Sequence, residues 1–246
     1  MPLTPKHPNM RKIIRKFLNQ FGYDIVKLPP KIRPEVRADL GKLFSRIYHE
    51  NLWGGEKGEF YSGPGSDDHV GEAYADAISS YIKQHNIKSV VDIGCGDFRI
   101  ASKFIGSDIE YTGIDVVPDL IAANQAKFGT SRVKFTCIDA TKEPLPEAEL
   151  CLIRQVLQHL SNQHIQQILA KCKKYSHLVI SEHVLLGDAV VPNVDMDADW
   201  NIRIEKNSCI MLNKPPFNYR TELLLEVDPH HFNQPLSRIR TERVFL

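Results

Sequence analysis

A chain of 246 residues, 42% hydrophobic and 25% charged, has the bulk of one large globular domain, with or without an appendage. These values exclude a wholly disordered, collagenous or coiled-coil protein, and no uncharged apolar run approaches the roughly 20 residues that span a bilayer. The net charge of +1 is unevenly spread: residues 1–37 hold nine Lys or Arg against Asp24 and Glu35, a formal +7, which leaves −6 on the other 209 residues. Five cysteines (Cys95, Cys137, Cys151, Cys172, Cys209) without a C-x-x-C pair fit neither a disulfide framework nor a zinc site. They point to a reducing compartment. The start of the chain lacks the apolar core of a secretory signal and the serine enrichment of a mitochondrial presequence, so the expected location is the cytoplasm.

The first predicted element is a helix. Met10, Ile13, Ile14, Phe17, Leu18 and Phe21 form one apolar stripe, Arg11, Lys12, Arg15 and Lys16 lie opposite, and Gly22 is a reasonable stop. Residues 1–34 therefore read as a basic amphipathic arm. Its stripe either docks on the domain with the charges solvated, or lies on an anionic membrane surface or a partner. Pro29, Pro30 and Pro34 break the chain before a second helix, predicted at 35–48 with Val36, Leu40, Leu43, Phe44 and Ile47 on one face. The loop at 51–66 holds five glycines, a proline and three aromatics in sixteen residues, which suits neither helix nor strand. Long ordered loops of this kind are often functional. A third helix at 68–85 completes the segment 35–86.

From residue 87 onward short apolar runs at 89–93, 109–114, 133–138, 150–153 and 178–181 alternate with helical patterns at 101–104, 118–128 and 162–173. Continuous apolar strands alternating with helices predict a mostly parallel sheet covered on both faces, an α/β Rossmann-like architecture. Two later strands, at 223–227 and 237–245, close the chain, the second alternating as an edge pair would. His230-His231 between them stays unassigned.

The chemistry centres on Val90-Val-Asp-Ile-Gly-Cys-Gly-Asp97, a buried strand that ends in a glycine-rich turn. Glycine permits the tight turn and lets a ligand approach the backbone. The third glycine of a dinucleotide fingerprint is replaced by Arg99, and the phosphate-binding P-loop pattern is absent. A turn flanked by Asp92 and Asp97 suits a cationic ligand and would repel a pyrophosphate. Asp115 ends the second strand 19 residues after Gly96, where a carboxylate can accept both hydroxyls of a ribose. Asp139, at the end of the third, could accept from the exocyclic amine of an adenine. Singly such residues are ordinary caps and turns. Three on successive strand ends mark a site at the carboxyl edge of the sheet.

These residues, with the strand at 149–154, resemble the class I S-adenosylmethionine-dependent methyltransferases across about 87–181. The resemblance implies a seven-stranded sheet whose last strand is antiparallel. It implies that Asp92, Gly94, Cys95 and Gly96 hold the methionine part of S-adenosylmethionine, Asp115 with Val116 the ribose, and Asp139 with Ala140 the adenine. Arg154 and Gln155 would shape the pocket, and the loop from Trp53 to Ser66 would close over it with Tyr61 and Ser62 touching the cofactor. Trp53-Gly54, Ser62-Gly-Pro-Gly-Ser66 and Gln155-Val-Leu-Gln-His-Leu-Ser161 are similar to methyltransferases of bacterial polysaccharide and surface-glycan assembly. Phe21-Gly-Tyr-Asp-Ile25 is similar to the leader of such enzymes.

Methyl transfer from a sulfonium needs in-line alignment and exclusion of water, and a hydroxyl acceptor benefits from a positioned base. His159, just past the fourth strand, and Glu182 and His183, expected just past the fifth, are the candidates. Each has a structural alternative: packing at a helix start for His159, bonding to loop amides for the pair. Lys214-Pro-Pro-Phe217 echoes the Asp/Asn-Pro-Pro-aromatic signature of amine methyltransferases. It starts with Lys and falls after the wrong strand, so a rigid turn is expected there. Pro192-Asn-Val-Asp-Met-Asp-Ala-Asp-Trp-Asn-Ile-Arg203 is the expected acceptor wall, since an aromatic among polar neighbours suits a sugar ring. Its alternating aspartates lack the glycine and terminal glutamate of a calcium loop and read as solvated, so no metal is expected.

The sequence thus points to O-methylation of a saccharide or glycan intermediate. The first rival is an RNA or small-molecule methyltransferase using the basic arm on phosphates, disfavoured by the acidic body. The second is a non-enzymatic, cofactor-binding scaffold whose basic helix docks a membrane or a glycosyltransferase at the inner membrane face.

Overall fold

The computed structural model describes residues 39–66, 68–229 and 237–246. The predicted arm at 1–34, the first residues of the second predicted helix and the His230-His231 pair lie outside them. In chain order the elements are α1 (Leu40–His49), α2 (Asp68–Gln84), β1 (Ser89–Ile93), β2 (Glu110–Asp115), α3 (Pro118–Phe128), β3 (Val133–Cys137), β4 (Leu150–Arg154), α4 (Asn162–Cys172), β5 (His177–Leu185), β6 (Val191–Pro192), β7 (Ser208–Cys209), β8 (Arg220–Val227) and β9 (Ser237–Phe245). The helix expected at 101–104 is a single 3-10 turn, Ala101–Lys103.

The seven-stranded sheet has the order β3-β2-β1-β4-β5-β9-β8. Its first five strands are parallel, and β9 runs antiparallel to both β5 and β8. This is the Rossmann-like methyltransferase architecture that the sequence implied. Burial on both faces explains why the strands read as unbroken apolar runs. Val91, Ile93, Cys151, Ile153, Leu178 and Ile180 pack into the layer shared with α1 and α4. Their neighbours Val90, Leu150, Leu152 and Val179 point the other way, to the layer shared with α2. In α1 the buried residues Leu40, Leu43, Ile47 and Tyr48 keep helical spacing, and Asp39 caps the helix by accepting from the Lys42 amide at 3.1 Å.

The chain leaves β1 toward β2 and β3 on one side, then returns to β4 and β5 on the other. That reversal opens a crevice at the carboxyl ends of β1 and its neighbours, the usual ligand position in open α/β sheets.

One strand departs from expectation with consequences for the site. β5 runs to Leu185, because the antiparallel partner β9 continues the ladder through Glu182↔Arg240, His183↔Ile239 and Leu185↔Ser237. Glu182 and His183 are strand residues, and the position past the strand end expected for them is corrected accordingly.

Candidate active site

At the end of β1 the backbone must reverse sharply. The amides of Gly94 and Cys95 both donate to Ile114 O, at 2.8 and 3.0 Å, and the Gly96 amide donates to Asp115 Oδ2 at 3.3 Å. Asn124, buried on α3, donates from Nδ2 to Gly96 O at 2.7 Å. Gly96 adopts φ +54°, and a Cβ there would stand 2.4 Å from Ser62 Oγ, so glycine is required twice over. Tyr48 Oη and Ser62 Oγ lie 2.9 Å apart, and Ser62 Oγ accepts from the Asp97 amide at 3.1 Å. The loop is thereby tied to the turn across 35 residues of sequence.

The three predicted acids converge on one cleft of about 370 Å³, which Cys95, Val116, Ala140 and Gln155 also line. Asp92 accepts from Tyr111 Oη at 2.8 Å, and burial pushes its carboxyl up to about 6 against that hydrogen bond. Burial likewise raises Asp115 to about 6, opposed by the Gly96 and Val117 amides. Asp139 differs. Burial alone would raise it, but hydrogen bonds from Thr141 and Lys142 outweigh that and hold it below the usual carboxylate range. Its Oδ1 takes the Thr141 hydroxyl at 2.6 Å and amide at 2.9 Å, and its Oδ2 pairs with Lys142 at 2.9 Å. Among the described lining residues stand five carboxylates, Asp92, Asp97, Asp115, Asp139 and Glu205, and one guanidinium, Arg154. Such a cleft attracts a cation.

Two predicted residues lie elsewhere. Tyr61 is not among the lining residues; its ring sits beneath Arg99, 5.3 Å from the guanidinium carbon. Glu182 does not reach the cleft either. It is 4% exposed and accepts from the amides of Leu157 at 2.8 Å and Gln158 at 3.2 Å, beneath the turn that carries His159. Burial pushes its carboxyl up to about 8. The strand-end alternative, a carboxylate bonding loop amides, describes it.

His159 and His183 both line the cleft, and burial lowers each to about 4, so both rings are neutral at physiological pH. His159 Nδ1 lies 3.2 Å from Asp199 O. A carbonyl only accepts, so Nδ1 carries the proton and Nε2 keeps its lone pair. The ring is enclosed by Trp53, at 5.1 Å between centroids, and Phe44, at 6.4 Å. Trp53 Nε1 donates to Trp200 O at 3.1 Å, joining the loop to the segment between β5 and β8.

That segment, the expected acceptor wall, supplies Trp200, Asn201 and Ile202 to the lining of the cleft. Arg203 anchors it. This fully buried side chain donates to Val194 O, Leu157 O, Gln158 O, Leu160 O and Asn162 Oδ1, at 2.6 to 3.2 Å. Of the aspartates read as solvated, Asp195 and Asp197 are exposed and Asp199 is not. Asp195 Oδ1 accepts from the Asn162 amide at the start of α4, and Asp199 is buried with Oδ1 on the Trp200 amide. The Lys214-Pro-Pro-Phe217 turn is held by Asn193 Nδ2, which donates to Lys214 O and Pro215 O.

Sequence reasoning missed several lining residues. Phe44 and Tyr48 sit on the apolar stripe of α1 and look like core. Gln158 had the plainest available signal, adjacency to His159, and Glu205 had none.

Residues 90–176 match a family model for a methyltransferase domain. Those residues are a class I S-adenosylmethionine-dependent methyltransferase domain. No curated protein sequence matches the chain. Three solved methyltransferase structures share its fold. The Burkholderia thailandensis 1,6-didemethyltoxoflavin-N1-methyltransferase, with its substrate and S-adenosylhomocysteine bound, aligns at 16% identity over 91% of this chain and 95% of its own, TM-score 0.52. The methyltransferase domain of bacterial CtHen1 aligns at 15% over 72% and 100%, TM-score 0.51. A Leishmania major methyltransferase aligns at 10% over 86% and 82%, TM-score 0.51. The cofactor of this methyltransferase is S-adenosylmethionine. The site suits it: an acid-rich cleft for a cation, and the buried Gln155 Nε2 with no hydrogen-bond partner among the described residues.

Proposed function

We propose that the protein transfers a methyl group to a hydroxyl of a saccharide or glycan intermediate. S-adenosylmethionine supplies an electrophilic methyl carbon on a sulfonium. Asp92 and the 94–96 turn would hold its amino-acid part, Asp115 the ribose, and Asp139 with Ala140 the adenine. Trp53 and Ser62 to Ser66 would exclude water from above.

The observation that carries the oxygen acceptor is His159: a neutral imidazole whose Nδ1–H is fixed on Asp199 O, enclosed by two aromatic rings at the cleft. Its Nε2 can receive the proton of a hydroxyl as that oxygen becomes alkylated. The saccharide reading rests on Trp53 and Trp200 lining the same cleft as Gln158 and Asn201, apolar faces beside hydrogen-bonding edges. The basic segment 1–37, at a formal +7, suits contact with an anionic membrane or with a glycosyltransferase at the cytoplasmic face.

Calorimetric titration of the full chain with S-adenosylmethionine, alongside Asp115→Ala, tests the cofactor assignment; binding retained in the variant would refute it. Methyl transfer to a saccharide panel, followed by release of S-adenosylhomocysteine, tests the acceptor. His159→Ala is expected to lower kcat by about 10²-fold or more while leaving cofactor affinity unchanged. His183→Ala is expected to have the smaller effect, and the reverse order would transfer the role to His183. Salt-sensitive RNA methylation would favour the nucleic-acid alternative. Cofactor binding without turnover on any acceptor would favour a scaffold.

A further inference from the structure

Beside His159 the cleft holds hydrogen-bond acceptors that the protein itself leaves unused. Gln158 is 7% exposed, and its Oε1 has no partner among the described residues. The orientation of this amide follows from its surroundings: Nε2 lies 3.4 Å from Gln155 O and 3.5 Å from His159 Nε2, both acceptors, so the nitrogen faces them and the oxygen faces away. Asn201 Oδ1 is likewise buried without a partner among the described residues. Both residues line the cleft, as does the exposed carboxylate of Glu205 on the turn that follows Asn201. A buried oxygen left unpaired costs about 1–3 kcal/mol, so a ligand that donates to it gains that back on binding.

Against five carboxylates, the described lining residues offer an anionic acceptor a single guanidinium. That cation is Arg154, whose guanidinium donates to Gly65 O and lies 5.1 Å from the centre of the Tyr74 ring, with its buried Nε unpartnered among the described residues. A carboxylate or phosphate on the reacting ring would add to the negative charge of a cleft that already holds Glu205, and could donate nothing to the amide oxygens of Gln158 and Asn201.

We infer that Gln158, Asn201 and Glu205 form a specificity site that takes a ring rich in hydrogen-bond donors and free of negative charge, a neutral or amino-substituted sugar, and rejects a uronic acid or a ring phosphate. This inference rests on the saccharide reading and narrows it. Glu205 sets the charge preference, and the two amide oxygens set the demand for donors. They discriminate sharply because a ligand lacking the donor leaves them unpaired.

The test is methyl transfer by the full chain to pyranosides in matched neutral, amino and carboxylate sets, with cofactor affinity measured in parallel. The neutral and amino sets are expected to exceed the carboxylate set in kcat/KM by about tenfold or more, the size of a like-charge contact near a protein surface. Glu205→Gln is expected to narrow that gap and Glu205→Arg to invert it, read as the ratio between sets within each variant at saturating cofactor. Gln158→Leu is expected to lower kcat/KM for every set without changing cofactor affinity. Uronic acids turned over as well as neutral sugars, or a ratio indifferent to Glu205→Arg, would overturn the inference and leave the saccharide reading standing. Failure of all three sets to bind or react, with cofactor binding intact, would overturn both.

Discussion

Two side-chain types in the cleft are displaced by burial in opposite directions, and each displacement has a measurable sign. Asp92 and Asp115 are raised to about 6, so they are ionised at pH 8 and largely protonated at pH 5. A cationic cofactor needs the ionised forms. Its affinity is expected to be flat above pH 7 and to fall as pH drops through 6, by about tenfold per unit for each carboxylate that must be charged. Calorimetric titration between pH 5 and 8 checks this, and a flat profile would show that neither carboxylate faces the cofactor's charge. His159 and His183, lowered to about 4, stay neutral over that range, so the acid limb belongs to the carboxylates.

For the stability of the free protein the signs reverse between the two groups. The raised carboxylates hold protons in the fold that the unfolded chain releases, so their contribution is fully present below about pH 4 and lost as pH rises through 6. The lowered histidines contribute fully above about 6.5 and lose that contribution as pH falls through about 4. The two trends oppose each other, which flattens the dependence between those limits.

At the scale of elements, the turn Leu157–His159 is gripped from both sides. Glu182 of β5 accepts its amides, and Arg203 takes the carbonyls of Leu157 and Gln158. Replacing Arg203 by Met would leave four backbone carbonyls without their donor in a buried site and is expected to cost about 3–5 kcal/mol by urea unfolding. Arg203→Lys is expected to recover only part of it, because an ammonium cannot reproduce the guanidinium fork. Loss of less than about 1 kcal/mol in the Met variant would show that the wall holds without this side chain.

The sheet was legible because its strands are buried on both faces: runs such as Val90 to Ile93 and Leu150 to Ile153 have no polar interruption to blur them. Three acids of the cleft were legible for a related reason, since a carboxylate at or near the end of an apolar strand stands out. β5 was misjudged where its own sequence turns polar. Glu182 and His183 look like a loop, yet each is buried, held by a ladder with β9 more than fifty residues away. Arg203 shows the same limit. In the sequence it ends a polar stretch, and only the folded chain gathers around it the carbonyls that make its burial tolerable.

For the molecule as a whole, charge and shape are divided along the chain. The body carries −6 and concentrates acid in its cleft, whereas residues 1–37 carry +7. No described residue of the cleft precedes Leu40. Removing residues 1–34 is therefore expected to leave cofactor affinity unchanged while abolishing salt-sensitive attachment to vesicles containing anionic lipid, as read by co-sedimentation. Weakened cofactor binding in the truncated chain would show that the arm contributes to the cleft.

The wall between β5 and β8 is contiguous, anchored by Arg203 and latched to the loop by one indole hydrogen bond, while the cofactor acids belong to β1, β2 and the turn after β3. On the proposed roles, the donor is held by the first half of the sheet, and the acceptor by this wall together with Gln158 and His159 of the turn before α4. On those roles, replacing the wall alone would re-shape only one side of the acceptor's seat and leave Gln158, His159 and the acids of β1, β2 and the turn after β3 in place.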